Sequence, residues 1–190
     1  MKLLHIDSSI MSTKSVSRGL TAEIVEHYTT LNPMVEITHY DLDAKPVPYL
    51  ASASFVDEGQ QEEGTRIMDD FQKADVLVIG APMYNFGIPA QLKAWIDHIA
   101  VAGKTFRYTE NGPVGLVKDK KVIIASSRGG VYSGDLSFLD YQESYLKSVF
   151  KFLGLDDSAI QIIRAEGVNM GPEVAANAIS SAKSAIPALQ

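Results

Sequence analysis

Ten consecutive residues, Ser8-Ser9-Ile10-Met11-Ser12-Thr13-Lys14-Ser15-Val16-Ser17, carry six hydroxyls and no glycine. Hydroxyl donors at a helix N-terminus, added to backbone N–H groups and the positive end of the helix dipole, are suited to surrounding a terminal phosphate. Lys14 and Arg18 point the same way, because cations in a first helical turn oppose the dipole unless an anion sits there. The plainer alternative is that Ser15 or Ser17 only caps the helix. Without glycine, both the dinucleotide fingerprint and the P-loop are excluded.

Two further loops have chemical content. Pro82-Met83-Tyr84-Asn85-Phe86-Gly87-Ile88-Pro89 offers spare backbone N–H groups. Asn85 both donates and accepts, which suits a heterocycle edge alternating C=O and N–H, and Tyr84 and Phe86 can border a flat ring. Ser126-Ser127-Arg128-Gly129-Gly130 pairs two glycines, which let backbone approach a planar ligand, with an arginine able to lie over or beside the ring. Taken singly, each has a structural reading: Tyr84 and Phe86 as core, Asn85 bonding its own turn, Gly-Gly as a turn.

Other chemistries are excluded. There is no cysteine, which removes thiolate catalysis, disulfides and Fe–S ligation. His5, His27, His39 and His98 show no metal-ligand spacing, so no metal site is expected. No GxSxG elbow is present, and the serine loop has no evident paired base. The third apolar run ends Gly80-Ala81-Pro82, without the aspartate that phosphoryl transfer in a receiver domain needs. A reaction at these loops would have to be carried by a cofactor.

The elements that must position the loops follow from hydrophobic period. Strands are expected at Lys2 to Asp7, Val35 to Asp41, Asp75 to Gly80, Lys121 to Ser126 and Ile160 to Ala165. Val76 to Ile79 and Val122 to Ala125 are continuously apolar, as in strands covered on both faces. Helical stripes recur at Leu20, Ile24, Tyr28 and Leu31, and at Leu92, Trp95, Ile96 and Ile99. Further helices are expected over Gly64 to Lys73, over Leu139 to Leu153 with Gly154 as stop, and from Pro172 to about Ile186. The alternation gives one α/β domain over residues 1–190. It is a three-layer, doubly wound, five-stranded parallel sheet of order 2-1-3-4-5, with ligand at the carboxyl ends of strands one, three and four. Asp43 to Phe55 reads as surface loop, and Phe106 to Val117, with Asn111-Gly112, as a hairpin excursion.

The 190 residues carry a net charge of −6 and no basic cluster, so nucleic acid is not an expected partner. The acid at position 7 breaks any signal-peptide apolar region, and no apolar run approaches the roughly 20 residues of a membrane span. The chain therefore reads as cytoplasmic and independent of membranes.

Together the loops resemble the FMN-dependent NADH:azoreductase and NADH:quinone oxidoreductase family, which has a flavodoxin-like fold. The matching pieces are Ser9 to Ser17, Asp41-Leu42 with Pro46-Val47-Pro48, Ala81 to Phe86, Leu92-Lys93, Phe106 to Pro113, Ser127 to Gly130 and Ala165 to Gly167, in order along nearly the whole chain. The resemblance implies that Ser9, Ser15, Val16 and Ser17 bind the FMN phosphate, that Met83, Tyr84, Asn85 and Phe86 bind the isoalloxazine, and that Ser127, Arg128, Gly129 and Gly130 bind its far side. It further implies a homodimer whose flavin site the partner completes, with Tyr108 and Phe152 in the substrate wall. NADH or NADPH would be the donor in a ping-pong, two-electron reduction of quinones and azo compounds by hydride transfer through flavin N5. The stretch Val131 to Leu136 is shorter than in many relatives and lacks a proline often found there, which bears on substrate shape. The alternative function is a flavodoxin-like one-electron carrier, whose strongly acidic docking face a net charge of −6 does not supply.

Overall fold

The computed structural model describes residues 1–189. Its strands are β1 (Lys2–Asp7), β2 (Glu36–Asp41), β3 (Val76–Pro82), β4 (Phe106–Thr109), β5 (Gly112–Gly115), β6 (Lys121–Arg128) and β7 (Ile160–Glu166). The helices are α1 (Val16–Leu31), α2 (Glu58–Lys73), α3 (Ala90–Ile99), α4 (Glu143–Leu153) and α5 (Pro172–Ser184). The five-stranded parallel sheet has the order β2-β1-β3-β6-β7, which is the expected 2-1-3-4-5. Every residue of β3 and all but the first of β6 are buried, because helices cover both faces of these central strands.

Strand alternation separates two cores. Leu4, Ile6, Leu77, Ile79 and Ile124 face α2, α3 and α4, with Phe71 and Trp95 packed edge to face at 6.1 Å. Leu3, Val76, Val78 and Ile123 face α1 and α5. Burying an aliphatic side chain contributes about 1.5–3 kcal/mol, so the Leu20, Ile24 and Tyr28 stripe of α1 is a main anchor of that layer. Leu31, the last residue of α1, is 61% exposed, so the stripe ends before the helix does.

Several boundaries differ from the pattern, beginning with β3 and β6, which run two residues past their expected ends, to Pro82 and Arg128. Helix α2 begins at Glu58, six residues before Gly64, because Asp57 caps it by accepting the Gln60 N–H at 2.9 Å. Before α4 a short 3-10 turn, Ser137–Leu139, is followed by Asp140, whose side chain accepts the Gln142 and Glu143 N–H groups and so sets the start of α4 at Glu143. The Pro-rich Asp43 to Phe55 stretch is largely irregular but ends in a 3-10 turn, Ser52–Phe55. Gly154 closes α4 at φ +118°, accepting no Cβ penalty there.

The excursion forms as expected. β4 and β5 pair antiparallel with Thr109 opposite Gly112, so the turn residues are Glu110 and Asn111, and Gly112 takes φ +103° as β5 opens. It docks on the end of α4: the Val117 N–H donates to Leu153 O at 2.9 Å, and a Cβ on Gly115 would overlap the Gly154 backbone. No described helix is long and apolar enough to cross a membrane.

Candidate functional site

Parallel registry brings the strand ends level: Asp7 lies beside Asp41 and Gly80, Pro82 beside Ser127, and Arg128 beside Glu166. The loops leaving β1, β3, β6 and β7 therefore converge on one edge, where a crevice is expected in a doubly wound sheet. A cleft of about 280 Å³ opens there. Of the residues singled out from sequence, Ser9, Ser15, Val16, Met83, Tyr84, Ser127, Arg128 and Gly129 line it. Ser17, Asn85, Phe86 and Gly130 flank it without forming its wall, and Tyr108 on β4 and Phe152 on α4 stand apart from it. Phe106 joins those two, with ring centroids 5.5 Å from Tyr108 and 4.6 Å from Phe152. Tyr108 is 74% exposed, and none of the three aromatics lines the cleft.

The serine loop is built from β1 outward. Ser8 Oγ donates to Gly80 O at 2.6 Å, tying the loop to β3. Ser9 Oγ and Tyr84 Oη lie 3.1 Å apart, and Tyr84 Oη accepts the Ile10 N–H, so the first and second loops are joined by one phenol. Ser15 does cap α1, accepting the Arg18 N–H at 3.2 Å, and the fully buried Ser17 shares a hydrogen bond with it. Capping and a place on the cleft wall are thus combined in Ser15. Arg18 corrects the dipole argument. Its guanidinium is a fork on Asp41 at 2.6 and 2.7 Å and donates to Ser9 O, so the anion it answers belongs to the protein. That pairing holds Asp41 far below, and Arg18 above, their ordinary pKa values. Lys14 remains an exposed cation on the cleft wall.

In the second loop, Met83 and Tyr84 do not have spare N–H groups: Met83 donates to Ser127 O at 2.8 Å and Tyr84 to Gly87 O at 3.0 Å. The spare donors are one step further on. Asn85 and Phe86 adopt φ +49° and +69°, and their N–H groups have no acceptor among the described residues. Left-handed backbone at a bulky residue such as Phe86 is strained, and such strain clusters where ligands are held.

The third loop holds the main correction. Arg128 is 1% exposed and cannot lie over a ring in the cleft. Its guanidinium is spent on three carboxylates: Asp140 and Glu143, each at 2.8 Å, and Glu166 at 3.1 Å. Gln142, fully buried, accepts from Arg128 Nε and donates to Ala81 O, linking the cluster to the end of β3. Only the main-chain side of Arg128 is left to face a ligand. Gly129 is required for a different reason from ring approach alone, since a Cβ there would come 2.7 Å from Asn169 Nδ2.

Glu166 then fixes the short stretch after Gly130 by accepting from the Tyr132 N–H at 2.9 Å and the Ser133 hydroxyl at 2.6 Å. Burial acts to raise the Glu166 pKa, but these bonds and Arg128 outweigh it and hold the carboxyl below its ordinary value. Tyr132 in turn packs edge to face with Phe86 at 6.0 Å.

Sequence reasoning missed Val168 and Asn169, which line the cleft from the loop after β7. The rule that ligands sit outside the carboxyl ends of strands applied equally to that loop, and Gly167 and Gly171 marked its turns. It also missed that His5 and His39 stand in register on neighbouring strands, with Asp7 beside both.

Sheet order and a cleft at the carboxyl ends define a protein of the flavodoxin-like fold, and a family model of that fold matches residues 1–189. The chain is 49% identical to an FMN-dependent NADH:quinone oxidoreductase of Stenotrophomonas maltophilia, over 98% of this chain and 95% of that protein. It is 50% identical to one from Rhizobium meliloti, again over 98% and 95%. A solved FMN-dependent NADH-azoreductase from Bacillus anthracis, in complex with FMN, superposes with a TM-score of 0.86 at 30% identity, covering 97% of each chain. The chain belongs to the FMN-dependent NADH:quinone oxidoreductase and azoreductase family.

Proposed function

We propose that this chain binds FMN in the cleft at the carboxyl ends of its sheet and reduces quinones and azo compounds at the expense of NADH or NADPH. The observation that carries the reading is the juxtaposition around one cleft of hydroxyls, a free cation, free backbone N–H groups and a glycine. The serine loop with Lys14 lies at the N-terminus of α1, the free N–H groups of Asn85 and Phe86 lie on the second loop, and Gly129 without a Cβ lies on the third. Their chemistry fits a phosphate at one end and a flat, hydrogen-bonding ring at the other. When bound, FMN supplies a hydride-accepting N5, so that donor and acceptor use one ring face in turn and no protein general base is required.

The residues of the chain bind and orient. Ser9, Ser15, Val16 and Ser17, with Lys14 and the α1 dipole, receive the phosphate. Met83 and Tyr84 bound the ring, the N–H groups of Asn85 and Phe86 meet its polar edge, and Ser127, Gly129, Gly130 and the Arg128 backbone close the far side. The N–H groups of Asn85 and Phe86 would hold the polar edge of the ring and favour its negatively charged form.

The cleft falls just below the roughly 300–1,000 Å³ usual for ligand pockets. A second copy of the chain would supply the missing wall, and the exposed Tyr108 and Phe152 are apolar surface suited to it. The protein is accordingly proposed to act as a homodimer. Steady-state reduction of a quinone panel and an azo dye, with NADH and NADPH in turn, tests the activity. Parallel double-reciprocal lines support alternating use of one site. A protein that binds FMN but oxidises neither nicotinamide would be a carrier or sensor instead. Gel filtration of a fully active monomer would remove the shared wall.

A further inference from the structure

We propose that His5, Asp7 and His39 form a binding site for a divalent transition-metal ion, beside the cleft and distinct from it. Alternation along β1 turns Leu3, His5 and Asp7 to the α1 face, and parallel registry sets His39 of β2 directly beside His5. The two imidazole rings stack with centroids 4.2 Å apart. Both Nε2 atoms converge on one oxygen, Asp7 Oδ2, at 3.3 Å from His5 and 3.1 Å from His39. Two ligand atoms about 2.1 Å from a metal lie about 3.0 Å apart at a right angle and about 3.4 Å apart at the tetrahedral angle. Both observed edges fall within that range. The three ligand atoms all lie within 4.8 Å of one another, and the exposed His39 ring can turn to close the remaining edge.

The buried member carries a second, independent sign. His5 is 9% exposed, and its buried Nε2 has no well-aligned hydrogen bond, only the Asp7 carboxylate facing it at 3.3 Å. A buried polar atom without a hydrogen bond is costly to keep unless something else satisfies it. Asp7 is oriented as a ligand should be: Thr21 Oγ1 donates to Oδ1 at 2.8 Å, leaving Oδ2 for the histidines. Space for the carboxylate is left by Gly80, where a Cβ would come 3.1 Å from Asp7 Oδ1.

The surrounding charge favours a cation. Arg18 comes within 3.6 Å of Asp7 Oδ2, but its charge is met by the Asp41 fork. With neutral imidazoles the two carboxylates and one guanidinium sum to −1. Two imidazoles and a carboxylate select zinc, nickel, cobalt or copper; calcium and magnesium take oxygen ligands instead. Positions left open would carry water.

Titration calorimetry of untagged, FMN-loaded protein with zinc chloride at pH 7.5 tests the site. One zinc per chain is expected, not displaced by a hundredfold excess of magnesium. His39→Ala, at an exposed position on an edge strand, should weaken zinc by at least about tenfold, whereas His27→Ala on the far end of α1 should leave it unchanged. On zinc addition, long-range imidazole NMR signals of His5 and His39 should shift while those of His98 stay. Absence of zinc binding in the parent protein, or equal affinity in His39→Ala, would overturn the assignment. The same titration after flavin removal separates this claim from the flavin reading, because the three ligands do not line the cleft.

Discussion

Replacing Arg128 by methionine keeps the stem volume but removes the cation at the centre of the third loop. Three carboxylates then lose a partner, yet none is left bare. Glu143 keeps its fork from Arg164 at 2.8 and 2.5 Å, Glu166 keeps the Tyr132 N–H and the Ser133 hydroxyl, and Asp140 keeps the α4 N–H groups. The Asp140 and Glu166 side chains are also 17% and 13% exposed, so water can reach them. Removing one partner of a buried pair costs about 3–5 kcal/mol, and these residual contacts place Arg128→Met near the lower end, at about 3 kcal/mol. Arg128→Lys restores the charge, but a single ammonium cannot span three carboxylates and Gln142, so about half the loss should remain. Urea unfolding of flavin-free protein measures both, with unchanged m-values as the check that only stability moved. The flavin-free condition separates two roles. A guanidinium acting on a bound ring would leave the flavin-free stability within about 0.5 kcal/mol of the parent and lower FMN affinity alone. That outcome would refute the buried ion cluster.

Three further outcomes are expected. Ser15→Ala should cost about 1 kcal/mol as a lost helix cap whether or not ligand is present; combined with Ser17→Ala it should weaken FMN far more than riboflavin, measured by fluorescence quenching, and equal losses would refute the phosphate role. Asn85→Gly keeps the left-handed backbone while deleting the amide, so FMN affinity should fall with stability nearly unchanged, whereas Asn85→Ala adds about 1–2 kcal/mol of strain in thermal unfolding. Glu166 has a folded pKa held below its ordinary 4.5, so its stabilisation is complete above that pH and is lost as pH falls through the lowered value. The stability gap between parent and Glu166→Gln should therefore be constant from pH 6 to 8 and shrink below about pH 4.5; a gap that widens on acidification would contradict the ion cluster.

The sheet was legible because its central strands must be apolar on both faces, and Val76 to Ile79 and Val122 to Ala125 carry that requirement in plain composition. Once strand order was fixed, three of the four cleft loops followed, since loops at carboxyl ends have to meet. What could not be read was pairing between strands. Arg128 stands 38 positions from Glu166 in the chain, and His5 stands 34 from His39, yet each pair is adjacent through parallel registry. Registry is set by the apolar residues, which must alternate correctly into two cores, and the polar residues on the same strands are carried along with it. A scan for ligand spacing along the chain tests separations of three or four that suit one helix, so it passes over histidines joined by a sheet. Arg128 failed for a related reason. At the end of a strand its side chain turns to one face or the other by parity. Ser126, two residues earlier, is fully buried toward Gln142, and parity puts the Arg128 guanidinium on that same side. The glycines that follow have no side chain to turn, and so the loop can offer backbone to a ligand while its arginine holds the layer beneath.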